Sequence, residues 1–85
     1  MKQFEYVIVD ELGLHTRPAG LMVKEASRFR CGITLSCKDK TGSAKKLFNV
    51  MAMGAKKGEK LIIRCEGEDE DEAAAALKAF CRCNL

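Results

Sequence analysis

Hydrophobic and polar residues alternate over three stretches of the chain, and this period of two predicts β-strands. The alternating apolar residues are Phe4, Tyr6 and Ile8 in the first stretch, Ile33, Leu35 and Cys37 in the second, and Leu61, Ile63 and Cys65 in the third. The first strand is predicted over residues 4–9. After the Lys38-Asp39-Lys40 turn, residues 41–43 predict a short return strand at the edge of a sheet.

Two long stretches repeat their apolar residues at helical spacing. The first predicts a helix over residues 16–27, whose apolar face contains Ala19, Met22, Val23, Ala26 and Phe29. The second follows the acidic run 66–72, with residues 69–72 expected in the first helical turn. Its predicted buried face consists of Ala73, Leu77, Phe80 and Cys81.

A shorter helix is predicted between these two, with Ser43 as its N-cap and an end before Gly54. It holds more apolar residues than one buried face accommodates. Val50 and Met53 are expected to face the core, which leaves Leu47, Phe48 and Met51 facing elsewhere. Such an exposed patch marks a docking surface on many small proteins, and a second contact with the core is the alternative explanation.

The predicted order of elements is β-α-β-β-α-β-α, within a single domain over residues 1–85. Strands that alternate apolar and polar residues can leave one face of their sheet to water. The helices then cover the other face of a mixed or antiparallel sheet, which is an α+β open-faced β-sandwich.

The composition is typical of a globular domain, with 47% hydrophobic residues and a single proline. No run approaches the ~18 consecutive apolar residues of a membrane helix. Residues 1–6 also lack the apolar region of a signal peptide. We therefore expect a cytoplasmic protein without membrane insertion.

The formal net charge is +3, but acidic and basic residues are segregated along the chain. Residues 66–72 are mostly acidic, whereas residues 17–60 are mostly basic. Solvated surfaces explain both runs. Steering toward acidic protein partners is the alternative explanation of the basic run.

Five cysteines form an odd set without a CxxC pair. They are Cys31, Cys37, Cys65, Cys81 and Cys83. The single CxC spacing at residues 81–83 is a weak metal signal, because closed zinc sites use four ligands at longer spacings. We expect free, reduced thiols and no metal site.

The only histidine, His15, lies two residues before Arg17 and three before the only proline, Pro18. Because proline is favoured in the first turn of a helix, His15 is expected at the helix N-terminus. The backbone N–H groups of Thr16 and Arg17 then lack helical acceptors and attract anions. Arg17 adds a guanidinium group. The sequence predicts a histidine that carries a phosphoryl group, whereas a surface or capping histidine is the alternative.

The segment GLHTRPA at residues 13–19, with residues 23–26, 43–45, 47–48 and 66–70, resembles the HPr family. HPr proteins are the histidine-containing phosphocarriers of the bacterial phosphoenolpyruvate:sugar phosphotransferase system. The resemblance covers essentially the whole chain. It implies a four-stranded antiparallel sheet with three helices on one face, and a monomeric carrier that is not itself an enzyme.

The resemblance also implies roles for single residues. His15 would take a phosphoryl group on Nδ1 from enzyme I and give it to the A domains of sugar-specific enzymes II. Arg17 and the N–H groups of Thr16 and Arg17 would hold the phosphoryl group. The implied docking residues are Gly20, Lys24, Leu47, Phe48 and Met51. Since no glycine-rich nucleotide loop precedes Lys57-Gly58, we expect no transfer from ATP. We also expect no cofactor and no nucleic-acid partner.

Three positions depart from the family pattern. Lys46 stands where many relatives carry a regulatory serine, and lysine cannot accept a phosphate from the regulatory kinase. Leu12 replaces a polar residue able to orient the histidine ring, and Gly20 removes contact area at the docking surface. A regulatory HPr-like module, of the nitrogen branch or another metabolic regulator, is the alternative function. A cysteine-based metal or redox protein is a third.

Overall fold

The computed structural model describes all 85 residues. Its elements are β1 (Lys2–Val7), α1 (Thr16–Ala26), β2 (Gly32–Cys37), β3 (Lys40–Ser43), α2 (Leu47–Ala52), β4 (Lys60–Glu66) and α3 (Glu70–Asn84). The four strands form one antiparallel sheet in the order β1-β4-β2-β3. The predicted order of elements and the open antiparallel sheet are confirmed.

The core lies between the helices and one face of the sheet. All six apolar residues predicted to face inward from β2 and β4 are buried. On α1, Ala19, Met22 and Ala26 are fully buried, and Val23 is half-buried against the same cluster. Phe29, predicted on the same helix face, lies beyond the end of α1 and is half-buried against the core as well. The period of each stretch therefore identified the inward face correctly, because burial follows the side-chain direction of the element.

Strand β1 starts and ends two residues earlier than its apolar pattern predicted. Lys2 and Gln3 already pair with β4 through their backbones. Val9, predicted as a strand residue, lies outside the sheet, because its N–H donates instead to the main-chain oxygen of Leu85 at 2.8 Å. The end of β1 is thus set by a partner 76 residues away, which the local pattern does not reveal.

The prediction that Ser43 is the N-cap of α2 is wrong. Ser43 is the last residue of β3, and Lys46 occupies the N-cap position. The Ser43 Oγ accepts the N–H of Lys45 at 3.1 Å, so its side chain closes the turn between β3 and α2. The predicted end of α2 is confirmed, since Met53 is the C-cap and Gly54 follows with a φ of 58°.

At the start of α3, Asp69 was predicted in the first helical turn, and this prediction is wrong. Asp69 is the N-cap residue, and its side chain does not cap the helix. Its two carboxylate oxygens accept the N–H groups of Arg30 and Cys31 at 2.8 and 2.9 Å. These bonds hold the pKa of Asp69 below its usual value, and the bond from the Arg30 N–H has the largest effect. The predicted buried face of α3 is confirmed at three positions, whereas Phe80 is only half-buried.

Candidate functional site

His15 occupies the N-cap of α1 with an extended backbone, at φ −98° and ψ −170°. Its carbonyl accepts the N–H of Ala19 at 3.0 Å and closes the first helical turn. The imidazole makes no capping hydrogen bond and is half-exposed. The ring is therefore reachable from solvent, and a capping role is excluded.

Gly13 fixes the loop that carries His15. Its φ is 64°, and a Cβ at this position would lie 2.4 Å from the carbonyl oxygen of Ala55. Only glycine permits this approach without strain. The close contact lets the N–H of Leu14 donate to Ala55 O at 2.8 Å, while His15 N–H donates to Gly13 O at 3.0 Å. The histidine is thus anchored to the segment that follows α2.

The first turn of α1 leaves two backbone N–H groups without an acceptor, those of Thr16 and Arg17. Pro18 is the third residue of the helix and has no N–H to satisfy. Free N–H groups at a helix N-terminus attract anions through hydrogen bonding and the helix dipole. The predicted anion-binding start of α1 therefore lies directly beside the imidazole.

His15 and Arg17 line one open pocket of about 180 Å³. The other lining residues are Asp10, Pro18, Leu21, Cys83 and Asn84. Arg17 is exposed and takes part in no ion pair, so its guanidinium is free to bind an anion. The structure brings the two predicted residues together in one cavity.

Sequence reasoning missed four residues of this pocket: Asp10, Leu21, Cys83 and Asn84. Cys83 and Asn84 are at the end of α3. Hydrogen bonds from the N–H groups of Val9 and Asp10 to the main-chain oxygen of Leu85 hold this end of the helix at the site. No local signal in the sequence points to that contact. Asp10 could have been found, since it opens the turn that Gly13 completes.

The apolar patch predicted on α2 is exposed. Phe48 is 84% exposed, and Leu47 and Met51 are about 40% exposed, whereas Val50 is fully buried. None of the three belongs to the core cluster or to the partly buried residues packed against it, which favours a docking surface over a second contact with the core. Since α1 packs against α2, this patch lies on the helix adjoining the one that carries His15.

The remaining predicted docking residues lie on α1. Gly20 is exposed, and a Cβ built on it meets nothing within 4 Å. Lys24 is exposed and forms no ion pair, and the same holds for Lys46 at the start of α2. Together with Arg17, these lysines give the two helices unneutralised positive charge, which favours an acidic partner.

All five cysteines are free, and four of them are buried. Burial raises the pKa of Cys31 to about 11 and that of Cys81 to about 12. Such thiols remain protonated near neutral pH and pack as small apolar groups. Only Cys83, beside the pocket, is exposed.

None of the three helices has the length and apolar character needed to cross a lipid bilayer.

Comparisons with known proteins point to one family. The family model described as "PTS HPr component phosphorylation site" matches residues 2–82. The chain is similar to the phosphocarrier protein HPr of Mycoplasma capricolum subsp. capricolum, at 44% identity over 78 residues that cover 92% of this chain and 88% of that protein.

Solved structures agree with this similarity. The histidine-containing phosphocarrier protein of Mycoplasma superposes with a TM-score of 0.90 at 42% identity, covering 93% of this chain and 90% of the other. HPr-C-His from Thermoanaerobacter tengcongensis superposes with a TM-score of 0.91 at 35% identity, covering 96% and 92%.

Proposed function

Because the chain belongs to the HPr family of phosphocarrier proteins, we propose that His15 accepts a phosphoryl group from enzyme I and passes it to the A domains of sugar-specific enzymes II. The observation that supports this function best is the reachable imidazole beside two unpaired N–H groups and a free guanidinium. These are the groups that a histidine-borne phosphoryl group requires.

The chemistry uses few groups of the protein. The lone pair of the neutral ring at Nδ1 attacks the donor's phosphorus, an N–P bond forms, and the bond to the donor breaks with its electron pair. In the second step the acceptor's nucleophile attacks the same phosphorus, and the N–P electron pair returns to Nδ1. Phosphoryl transfer depends mainly on positioning and charge stabilisation. The N–H groups of Thr16 and Arg17, and the Arg17 side chain, would bind the phosphoryl oxygens.

Both partners would use the docking surface beside His15, formed by Gly20, Lys24, Leu47, Phe48 and Met51. One histidine can face only one protein at a time, so enzyme I and an enzyme II A domain would bind in turn. A monomer leaves this surface open. We therefore expect a monomer, which light scattering coupled to size-exclusion chromatography would measure.

The function is tested by incubating the protein with enzyme I and phosphoenolpyruvate. We expect an acid-labile phosphoryl adduct on the wild-type protein, its transfer to an enzyme II A domain, and no adduct on His15→Ala. Since the imidazole makes no capping hydrogen bond, the free energy of unfolding of His15→Ala is expected to stay within about 0.5 kcal/mol of wild type.

Two results would contradict the proposal. An adduct that persists in His15→Ala would place the phosphoryl group elsewhere. An adduct on His15 that reaches no enzyme II A domain would instead favour the regulatory function, since a module of the nitrogen branch does not feed sugar transport. With Lys46 at the position of the regulatory serine, we expect no phosphorylation there by a regulatory kinase.

A further inference from the structure

The turn before α1 places an unpaired carboxylate in the pocket of His15. Asp10 lines this pocket together with His15 and Arg17. Its carboxylate accepts one hydrogen bond, from the N–H of Leu12 to Oδ1 at 2.8 Å, and forms no ion pair. The pocket therefore contains a carboxylate that takes part in no ion pair.

The main chain holds Asp10 in this position. Its N–H donates to the main-chain oxygen of Leu85 at 2.8 Å, and its carbonyl accepts the N–H of Gly13 at 3.1 Å. The latter bond closes a β-turn, in which the first and fourth Cα atoms lie within about 7 Å. His15 follows two residues later, with its own N–H bound to Gly13 O. The carboxylate therefore cannot move far from the imidazole.

The neighbouring acidic residue, Glu11, differs from Asp10 because its carboxylate is in an ion pair. Glu11 is paired with Lys57 at 2.6 Å and does not line the pocket. Among the charged side chains of the pocket, Arg17 and Asp10 have opposite signs. A phosphoryl group on His15 carries up to two negative charges and would share this pocket with both side chains. Charges interact over about one Debye length, which is about 8 Å at physiological ionic strength.

We infer that Asp10 weakens the binding of a phosphoryl group on His15 and thereby promotes its transfer to the next protein. The inference rests on the proposed function. Arg17 and the free N–H groups stabilise the phosphorylated form, whereas the Asp10 carboxylate repels the phosphoryl oxygens. A carrier requires this balance, because a phosphoryl group bound too tightly is accepted but not released.

The variant Asp10→Asn tests the inference, because asparagine keeps an oxygen for the Leu12 N–H and removes only the charge. Wild-type protein labelled with ¹⁵N is mixed in equal amounts with the unlabelled variant, a trace of enzyme I and limiting phosphoenolpyruvate. Enzyme I moves the phosphoryl group between molecules, and each N–P bond broken on one is formed on another. Intact-mass spectrometry then gives the relative stability of the two phosphorylated proteins.

At low ionic strength, we expect the equilibrium ratio of phosphorylated Asp10→Asn to phosphorylated wild type to be about two to ten. This ratio should approach one at about 1 M KCl, where the Debye length is about 3 Å. Glu68→Gln is the matched control, because it changes the net charge equally at the opposite end of the sheet and is exposed without an ion pair. Its expected ratio to wild type is one.

An equal distribution between wild type and Asp10→Asn, or a preference for wild type, would overturn the inference. A preference that does not decline with salt would overturn it as well. Should Asp10→Asn fail to fold, Asp10→Ser retains an acceptor for the turn and takes its place in the same competition. If wild-type protein itself accepts no phosphoryl group from enzyme I, the proposed function fails, a result distinct from an equal distribution.

Discussion

His15 is held at both ends of its backbone, while its side chain is held by nothing. Its N–H and C=O are bonded to Gly13 and Ala19, and no side chain orients its ring. This agrees with the loss of the polar residue at Leu12, which is 71% exposed. In the proposed transfer, the position of the imidazole would therefore depend on the backbone, with Arg17 as the cation of the pocket.

Removing the guanidinium is expected to slow phosphoryl transfer. Arg17→Ala should lower the rate constant for transfer from enzyme I by about 10²-fold, in the range measured for single preorganised donors. Arg17→Lys should restore only part of it, because an ammonium group cannot bind two phosphoryl oxygens as a fork. Rapid-quench kinetics measures both. Arg64→Ala, on an exposed strand position of the sheet, controls for the lost charge, and an equal loss there would refute a specific role for Arg17.

Helix α1 joins the proposed phosphoryl site to the proposed docking surface and contains one residue of low helix propensity. Gly20 lies in the interior of the helix, where glycine is less favourable than alanine. The open space around its Cα shows that no packing contact requires glycine there.

Gly20→Ala is expected to stabilise the protein by about 0.5–1 kcal/mol, which urea denaturation would measure. Gly58→Ala is the matched control: a Cβ there also meets nothing within 4 Å, but the φ of 87° strains any other residue. It is expected to destabilise by about 1 kcal/mol or more. Equal effects of the two substitutions would show that backbone conformation does not determine the outcome.

The start of α3 is tied to the loop before β2 by the carboxylate of Asp69. Because its pKa is lowered in the folded protein from 3.8, the ionised carboxylate stabilises the fold at neutral pH. This stabilisation is present above 3.8, the unfolded value, and is lost as the pH falls through the lower folded value.

We expect Asp69→Asn to be less stable than wild type at pH 7, and the difference in the free energy of unfolding to disappear on acidification below pH 3.8. Urea denaturation at a series of pH values measures it. Asp39→Asn, in the turn between β2 and β3, changes an exposed carboxylate that takes part in no ion pair and should match wild type throughout. A difference for Asp69→Asn that is constant with pH would contradict the assignment to ionisation.

In the folded molecule, one face of α2 packs against the core and another forms part of the proposed docking surface. Val50 is buried on one face of this six-residue helix. Leu47, Phe48 and Met51 are exposed to solvent on a helix that packs against α1. Exposed apolar side chains contribute little to folding and much to association when a partner buries them.

Phe48→Glu is therefore expected to raise the Michaelis constant of enzyme I for this protein by about tenfold or more. Its free energy of unfolding should stay within about 0.5 kcal/mol of wild type. Steady-state kinetics and urea denaturation measure the two quantities. Val50→Ala on the same helix should show the opposite behaviour, with lower stability and unchanged docking. Unfolding of Phe48→Glu would show that the patch belongs to the core.

Local patterns in the sequence were enough to predict the order of the elements, their inward faces and the placement of His15 and Arg17 at a helix start. These depend on periodicity and on a proline and a glycine within a few residues, and such local preferences act wherever the chain folds. Tertiary structure alone decided that Val9 leaves the sheet, that Asp69 binds the loop before β2, and that Asp10 shares a pocket with Cys83 and Asn84. Each of these depends on hydrogen bonds between residues more than thirty positions apart, whose partners no local pattern identifies.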